Sequence, residues 1–109
     1  MLFAPGATIL FHGDSITQCG RNPTVGTDMG HGYAAICAAM LTARYPQADL
    51  CFRNRGTSGS RVIDLQMRWQ QDCLDLRPDW CSILIGINDC WRRFDSNNPT
   101  SIGEFAAGY

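Results

Sequence analysis

Three short apolar segments, separated by two segments of helical periodicity, constrain the fold of this chain more than any other feature. The apolar segments are residues 8–12, 50–54 and 80–87, each of a length typical of a β-strand. Between them, apolar side chains recur every three or four residues over 33–45 and 62–76, which predicts amphipathic helices. The order strand, helix, strand, helix, strand predicts a parallel sheet with right-handed crossovers and helices on both faces.

The third apolar segment has the strongest burial signal. Residues 80–87 are apolar at almost every position, which predicts a strand that is buried on both faces. We therefore predict one three-layer α/β domain over residues 1–109. In an open sheet of this kind, functional groups collect at the carboxyl ends of the strands.

The charge balance argues against a polyanionic partner. Nine arginines and ten acidic residues give a net charge of −1, and the arginines are scattered from Arg21 to Arg93. We expect neither nucleic acid nor an anionic membrane as a partner. The first residues lack the basic region and apolar run of a signal peptide, and no stretch approaches the roughly 18 apolar residues of a membrane span. A cytoplasmic protein is the expectation.

The six cysteines are dispersed, with no Cys-x-x-Cys pair and no pair of histidines nearby. This spacing predicts neither a metal site nor a cofactor. Cys37 and Cys73 fall on the apolar faces of the predicted helices, and Cys51 and Cys81 fall in predicted strands. We interpret most of the cysteines as small buried hydrophobic residues.

Each predicted strand ends in a polar cluster: residues 13–15, residues 54–59 and residues 86–89. Acyl transfer by a serine needs an exposed nucleophile and hydrogen-bond donors aimed at the oxyanion. Ser15 supplies a hydroxyl at a strand end, and Gly59 offers a backbone N–H that no side chain shields. Asn88 adds a neutral amide donor. Ser15 alone is more typical of a turn or a helix cap than of a nucleophile, and Asn88 and Gly59 alone are typical of a polar turn and a flexible loop. The interpretation therefore depends on their common position.

The sequences His-Gly-Asp-Ser-Ile-Thr at 12–17, Asn-Arg-Gly-Thr-Ser-Gly at 54–59 and Gly-Ile-Asn-Asp at 86–89 resemble the first three blocks of the SGNH/GDSL hydrolases. Both the order and the spacing of the blocks agree. The resemblance implies a flavodoxin-like sheet and a serine esterase that acts through an acyl-enzyme on a small-molecule ester. Acetylated sugars, short acyl esters and lysophospholipids are all candidate substrates.

The same resemblance implies roles for individual residues. Ser15 matches the nucleophile of the family, and Gly59 and Asn88 match the residues that share the oxyanion with the backbone N–H of that serine. As further substrate contacts we predict Asp14, His31 and Trp91. For Trp91, an aromatic anchor in a solvated loop is an equally open interpretation.

The family takes its base and acid from a late Asp-x-x-His block, and no such late block follows the third cluster here. Neither His12 nor His31 matches its position, and Asp14 does not match the acid. Sheets of this family have about five strands, so we expect a fragment whose third strand has a bare edge. The 109-residue chain is then expected to be nearly inactive alone, and poorly soluble or self-associated through that strand.

Two other interpretations stay open. A strand followed by a Gly- and Ser-containing loop and a helix also suits a non-enzymatic phosphate or nucleotide binder. A catalytically inactive, carbohydrate-binding relative would keep the three blocks without turnover.

Overall fold

A computed structural model of the chain describes residues 2–109. Its strands form one parallel sheet with the order β2-β1-β3, in which β1 is Thr8–Gly13, β2 is Cys51–Asn54 and β3 is Trp80–Leu84. The predicted three-layer α/β architecture is confirmed. Since the central strand comes first in the sequence, both neighbours return parallel to it through helical connections.

The helices lie between and after these strands. They are α1 (Ser15–Gln18), α2 (Tyr33–Arg44), α3 (Val62–Met67), α4 (Trp69–Asp72), α5 (Ile87–Asp95) and α6 (Ile102–Gly108), with one 3₁₀ turn at Leu74–Leu76.

The two faces of β1 pack against different layers because its side chains alternate. Ile9 and Phe11 join a buried cluster with Phe3 and Ala34, the latter on α2. On the opposite face, Leu10 and His12 are fully buried, and the ring of His12 lies 5.9 Å from that of Trp69 on α4. The central strand is thereby covered on both sides.

The prediction of one continuous helix over 62–76 is wrong. The structure breaks it into α3, α4 and the 3₁₀ turn. Arg68, at the first break, has φ −103° and ψ 6°, and its N–H is shared between the carbonyls of Asp64 and Gln66. Arg77 then ends the 3₁₀ turn in the left-handed region, with φ 48°. The apolar spacing continues across these breaks, and Val62, Leu65 and Cys73 are buried, whereas Leu74 is exposed.

The third predicted strand is wrong in both length and burial. The strand ends at Leu84, and all its side chains but that of Ile83 are exposed, because β3 pairs only with β1 and forms an edge. At Gly86 the backbone turns with φ 131°, and α5 begins at the next residue. The predicted loop around Trp91 is therefore helical. Ile87, Cys90, Trp91 and Phe94 have helical spacing, so the sequence did contain this signal.

The prediction of mostly buried cysteines is also wrong. Of the six, Cys73 alone is buried and Cys37 is half-buried, whereas the rest are exposed, including Cys51 and Cys81 on the two outer strands. An outer strand leaves some side chains uncovered that a central strand would bury. All six are free thiols. Within residues 2–109, no helix is long and apolar enough to cross a bilayer, and no group of metal-binding side chains occurs.

Candidate active site

Ser15 lies directly behind the carboxyl end of β1, as the first residue of α1, and it is exposed. Asp14 caps the helix, since its Oδ1 accepts a hydrogen bond of 2.9 Å from the N–H of Ile16. This carboxylate is 1% exposed. Its local task is to hold the turn that presents Ser15. The predicted substrate contact of Asp14 stays a prediction.

Backbone and side-chain hydrogen bonds hold the loop after β2 against this turn. The N–H of Thr57 donates to the carbonyl of Gly13 at 3.0 Å, and the N–H of Ser58 donates to Oε1 of Gln18 at 2.7 Å. Asn54, which is fully buried, donates from Nδ2 to the carbonyl of Thr17 at 2.7 Å. The second cluster is thus held against both ends of α1, the helix that begins with Ser15.

Arg21 contributes to the same loop and was not identified from the sequence. It is 7% exposed, its Nη2 donates to the carbonyl of Gly56, and its Nε has no hydrogen-bond partner within residues 2–109. Burial lowers the pKa of its guanidinium. A Gly-Arg pair inside a polar loop carries no burial pattern, so no signal in the sequence marks this residue.

Hydrogen bonds hold the third cluster against the residues that directly follow Gly59. Nδ2 of Asn88 donates to the carbonyl of Ser60 at 3.0 Å. The buried carboxylate of Asp89 accepts from the N–H of Val62 at 3.1 Å, so it satisfies a free donor at the start of α3. Gly59 itself has φ 78°, a conformation that L-residues with side chains rarely adopt. Two adjacent side chains of α5 therefore hold the segment that follows Gly59.

Three hydrogen-bond donors remain free at this edge of the sheet. The backbone N–H groups of Ser15 and Gly59 have no acceptor among the described residues. The amide of Asn88 has two hydrogens, and its contact with Ser60 uses one of them. Donors that are fixed before a reaction stabilise developing negative charge at low reorganisation cost. The structure brings these positions to one edge, whereas their roles stay predictions.

Neither histidine is presented as a base. His12 is fully buried, and its Nδ1 lies 3.2 Å from the carbonyl of Arg55, which requires Nδ1 to be the donor. Its Nε2 is buried without a partner in the described part of the chain. Burial lowers the pKa of this ring, against a smaller opposite effect of the bond to Arg55. A neutral His12 therefore serves as a link between β1 and the second cluster.

His31 is exposed and follows Asp28 with the spacing Asp-x-x-His. Both carboxylate oxygens of Asp28 accept backbone N–H groups instead, from Asn22 at 2.8 Å and Gly30 at 2.9 Å. These hydrogen bonds lower the pKa of Asp28. Asp28 therefore stabilises its own loop and does not orient the imidazole of His31. The predicted substrate contact of His31 stays a prediction, as does that of Trp91, which is 58% exposed on α5.

The match to a known protein family covers the same three clusters. The model of the GDSL-like Lipase/Acylhydrolase family matches residues 11–103. The chain belongs to this GDSL family. The match covers the strand ends that carry Ser15, Gly59 and Asn88, and it confirms the resemblance drawn from the motifs.

An acetylxylan esterase of Geobacillus stearothermophilus is 44% identical to this GDSL chain over 99 residues, which cover 87% of the chain and 45% of the esterase. The solved structure of Axe2, an acetylxylan esterase from the same organism, superposes with a TM-score of 0.91 at 40% identity, covering 99% of this chain and 53% of Axe2. LAE5, described as an alpha/beta hydrolase from the metagenome of Lake Arreo, superposes with a TM-score of 0.90 at 39% identity, covering 97% and 53%.

The chain thus spans about half the length of the relatives it matches. Structures described as catalytic mutants of Axe2 replace a serine, an aspartate and a histidine of that enzyme, the last two with the spacing Asp-x-x-His.

Proposed function

We propose that this chain carries the nucleophile and the oxyanion donors of a serine esterase that removes acetyl groups from small, oxygen-rich substrates such as acetylated sugars. The observation that carries the proposal is the set of three free N–H donors, from Ser15, Gly59 and Asn88, beside an exposed serine at the start of a helix. The acetylxylan esterase activity named for two relatives supports acetyl esters of sugars over longer acyl chains.

In the proposed reaction, Oγ of Ser15 attacks the ester carbonyl and its proton passes to a base. The carbonyl oxygen becomes negatively charged, and the N–H groups of Ser15 and Gly59 and the amide of Asn88 donate to it. Collapse of the tetrahedral intermediate breaks the bond to the leaving oxygen, which takes the proton, and leaves Ser15 acetylated. Water then attacks the acetyl group and regenerates the serine.

The base is the part of this mechanism that residues 2–109 do not supply. His12 is buried and donates to Arg55, and the carboxylate that precedes His31 is used by its own loop. An Asp-x-x-His pair outside these residues meets the requirement, because the carboxylate orients a ring that takes the proton of Ser15. The chain alone is accordingly expected to turn over esters slowly.

This expectation allows a test on the chain as it is. The protein is incubated with p-nitrophenyl acetate, with and without imidazole as an added base, and acetylation is measured by intact mass and located by peptide mapping. Among the hydroxyl groups we expect acetylation of Ser15 alone, formed faster with imidazole, and accumulating because deacylation lacks its base too; peptide mapping distinguishes it from acetylation of the four exposed thiols. Since the sequence has no lysine, amine acetylation is confined to the N-terminus.

Two variants and one control complete the test. Ser15→Ala is expected to abolish the acetylated peptide. Asn88→Ala is expected to slow acetylation on the order of a hundredfold, the usual effect of losing one oxyanion donor. Ser58→Ala removes an exposed hydroxyl of the second cluster and is expected to change nothing. Acetylation spread equally over Ser58 and Ser15, or unaffected by Asn88→Ala, would contradict the proposal.

A further inference from the structure

A guanidinium group lies over Gly59, beside the donors described above. Arg92 follows Asn88 by four residues on α5, so both side chains lie on the same face of the helix. A β-carbon added to Gly59 would lie 3.4 Å from Nη2 of Arg92. The cation thus borders the space that a side chain at position 59 would occupy, beside the residue whose N–H is a proposed oxyanion donor.

The position of this guanidinium is set by its neighbours on α5. Nη1 of Arg92 donates to Oδ2 of Asp95 at 2.6 Å, and Asp95 also accepts from Oγ of Ser96 at 2.9 Å. The carbonyl of Arg92 accepts from the N–H of Asn98 at 2.8 Å, which closes the helix end beneath it. Both charged side chains are about one third exposed, at 32% and 35%. Partial burial and a short ion pair restrict the rotamers of Arg92.

Nη2 is the part of this group that is left for a ligand. Asp95 occupies Nη1, and Nη2 makes no hydrogen bond within residues 2–109. A guanidinium is always charged and presents its N–H groups in a fixed plane. Nη2 therefore offers hydrogen bonds to a ligand, and Arg92 lies one helical turn beyond Asn88 on α5.

We propose that Arg92 is a substrate-contacting residue that selects esters of oxygen-rich alcohols: Nη2 donates to a hydroxyl or ring oxygen of the leaving alcohol, while Asp95 holds the guanidinium in place. Because Arg92 lies beyond the Asn88 amide on α5, it contacts the alcohol rather than the carbonyl oxygen. This inference rests on the proposed esterase function and names a determinant of its substrate class.

The test measures recognition of the alcohol and transfer of the acyl group in two separate assays. Affinity for a mono-acetylated methyl xyloside is measured by ligand-observed NMR titration, which does not require turnover, and acetylation of Ser15 by p-nitrophenyl acetate is measured separately. Arg92→Met is expected to weaken binding of the sugar ester on the order of tenfold, because one charged hydrogen bond is lost. The rate of acetylation by the aryl ester is expected to fall by a severalfold smaller factor. Asp95→Asn is expected to produce a smaller loss of sugar-ester affinity.

Arg93→Met is the matched control, because Arg93 is an exposed arginine of the same helix and forms no ion pair within the described residues. It is expected to leave sugar-ester affinity unchanged. Equal losses with both substrates, or equal affinities of the Arg92 and Arg93 variants, would overturn the proposal. Absence of Ser15 acetylation in the unaltered chain would instead refute the esterase function, because the binding titration is read independently.

Discussion

At Gly56, a single added methyl group would collide with the helix that begins with Ser15. A β-carbon there would lie 2.3 Å from the backbone N of Gln18 and 2.7 Å from the backbone C of Thr17. Contacts this short cannot be relieved by rotating a side chain, because both neighbours are main-chain atoms of α1. The substitution Gly56→Ala must therefore move either the second cluster or the helix that begins with Ser15.

The magnitude follows from what resists this movement. Overpacking a tight site costs about 1–3 kcal/mol. The peptide around Gly56 is also held by a bond of 2.9 Å from its N–H to Oδ1 of Asn54 and by the bond from Arg21 to its carbonyl. Weakening one of these adds about 1 kcal/mol. We expect Gly56→Ala to lower the free energy of unfolding by about 2–4 kcal/mol, and the melting temperature by roughly 10–20 °C.

The assay is urea unfolding followed by tryptophan fluorescence, combined with the rate at which p-nitrophenyl acetate acetylates Ser15. Gly26→Ala is the matched control, since a β-carbon at Gly26 meets nothing within 4 Å. It is expected to be neutral or to stabilise by up to about 1 kcal/mol, through the entropy of the unfolded chain. If Gly56→Ala unfolds at the same urea concentration as Gly26→Ala and acetylates at an unchanged rate, the reasoning about the close contact is wrong.

Two further predictions concern buried polar groups. Asp89→Ala removes the acceptor of the Val62 N–H and should lower the free energy of unfolding by about 1–3 kcal/mol. Asp75→Ala, on the surface, should lower it far less. Equal urea midpoints of the two variants would contradict a stabilising role of Asp89 at the start of α3. Burial lowers the pKa of His12 below 6.5, so the unfolded chain binds its proton more readily and stability falls as the pH drops below about 6.5. His12→Phe should flatten this acid-side loss in urea midpoints measured across pH 5–8, and His31→Phe should not; an unchanged slope with His12→Phe would exclude the mechanism.

The elements that could be predicted from the sequence are those whose burial is local and periodic. β1, β2 and α2 follow from runs or repeats of apolar residues, because their buried faces belong to a continuous core. An apolar run predicts too much burial for β3, because it does not report whether a neighbouring strand covers it. The cluster before α5 resembles a polar turn and hides the helical spacing that follows it.

Some residues of the candidate site could likewise be predicted from the sequence, whereas others could not. Ser15, Gly59 and Asn88 stand out in the sequence because each follows a strand, and the matching family model covers them. Arg21 and Arg92 carry no such mark, and nothing in the third cluster indicates that Asp89 caps α3. The importance of Arg21, Asp89 and Arg92 depends on contacts across 35, 27 and 33 residues of sequence, to Gly56, Val62 and Gly59 respectively.

The amino-acid sequence by itself determined the order of strands and helices and the chemistry available at each strand end, because periodicity and residue type are local properties. The tertiary structure alone decided which donors are already used and which remain free. The Asn88 amide is oriented by the Ser60 carbonyl, and the Arg92 guanidinium is turned over Gly59 by Asp95. Hydrogen-bond partners are set by where parallel strands end in space, and distance along the chain carries no record of that arrangement.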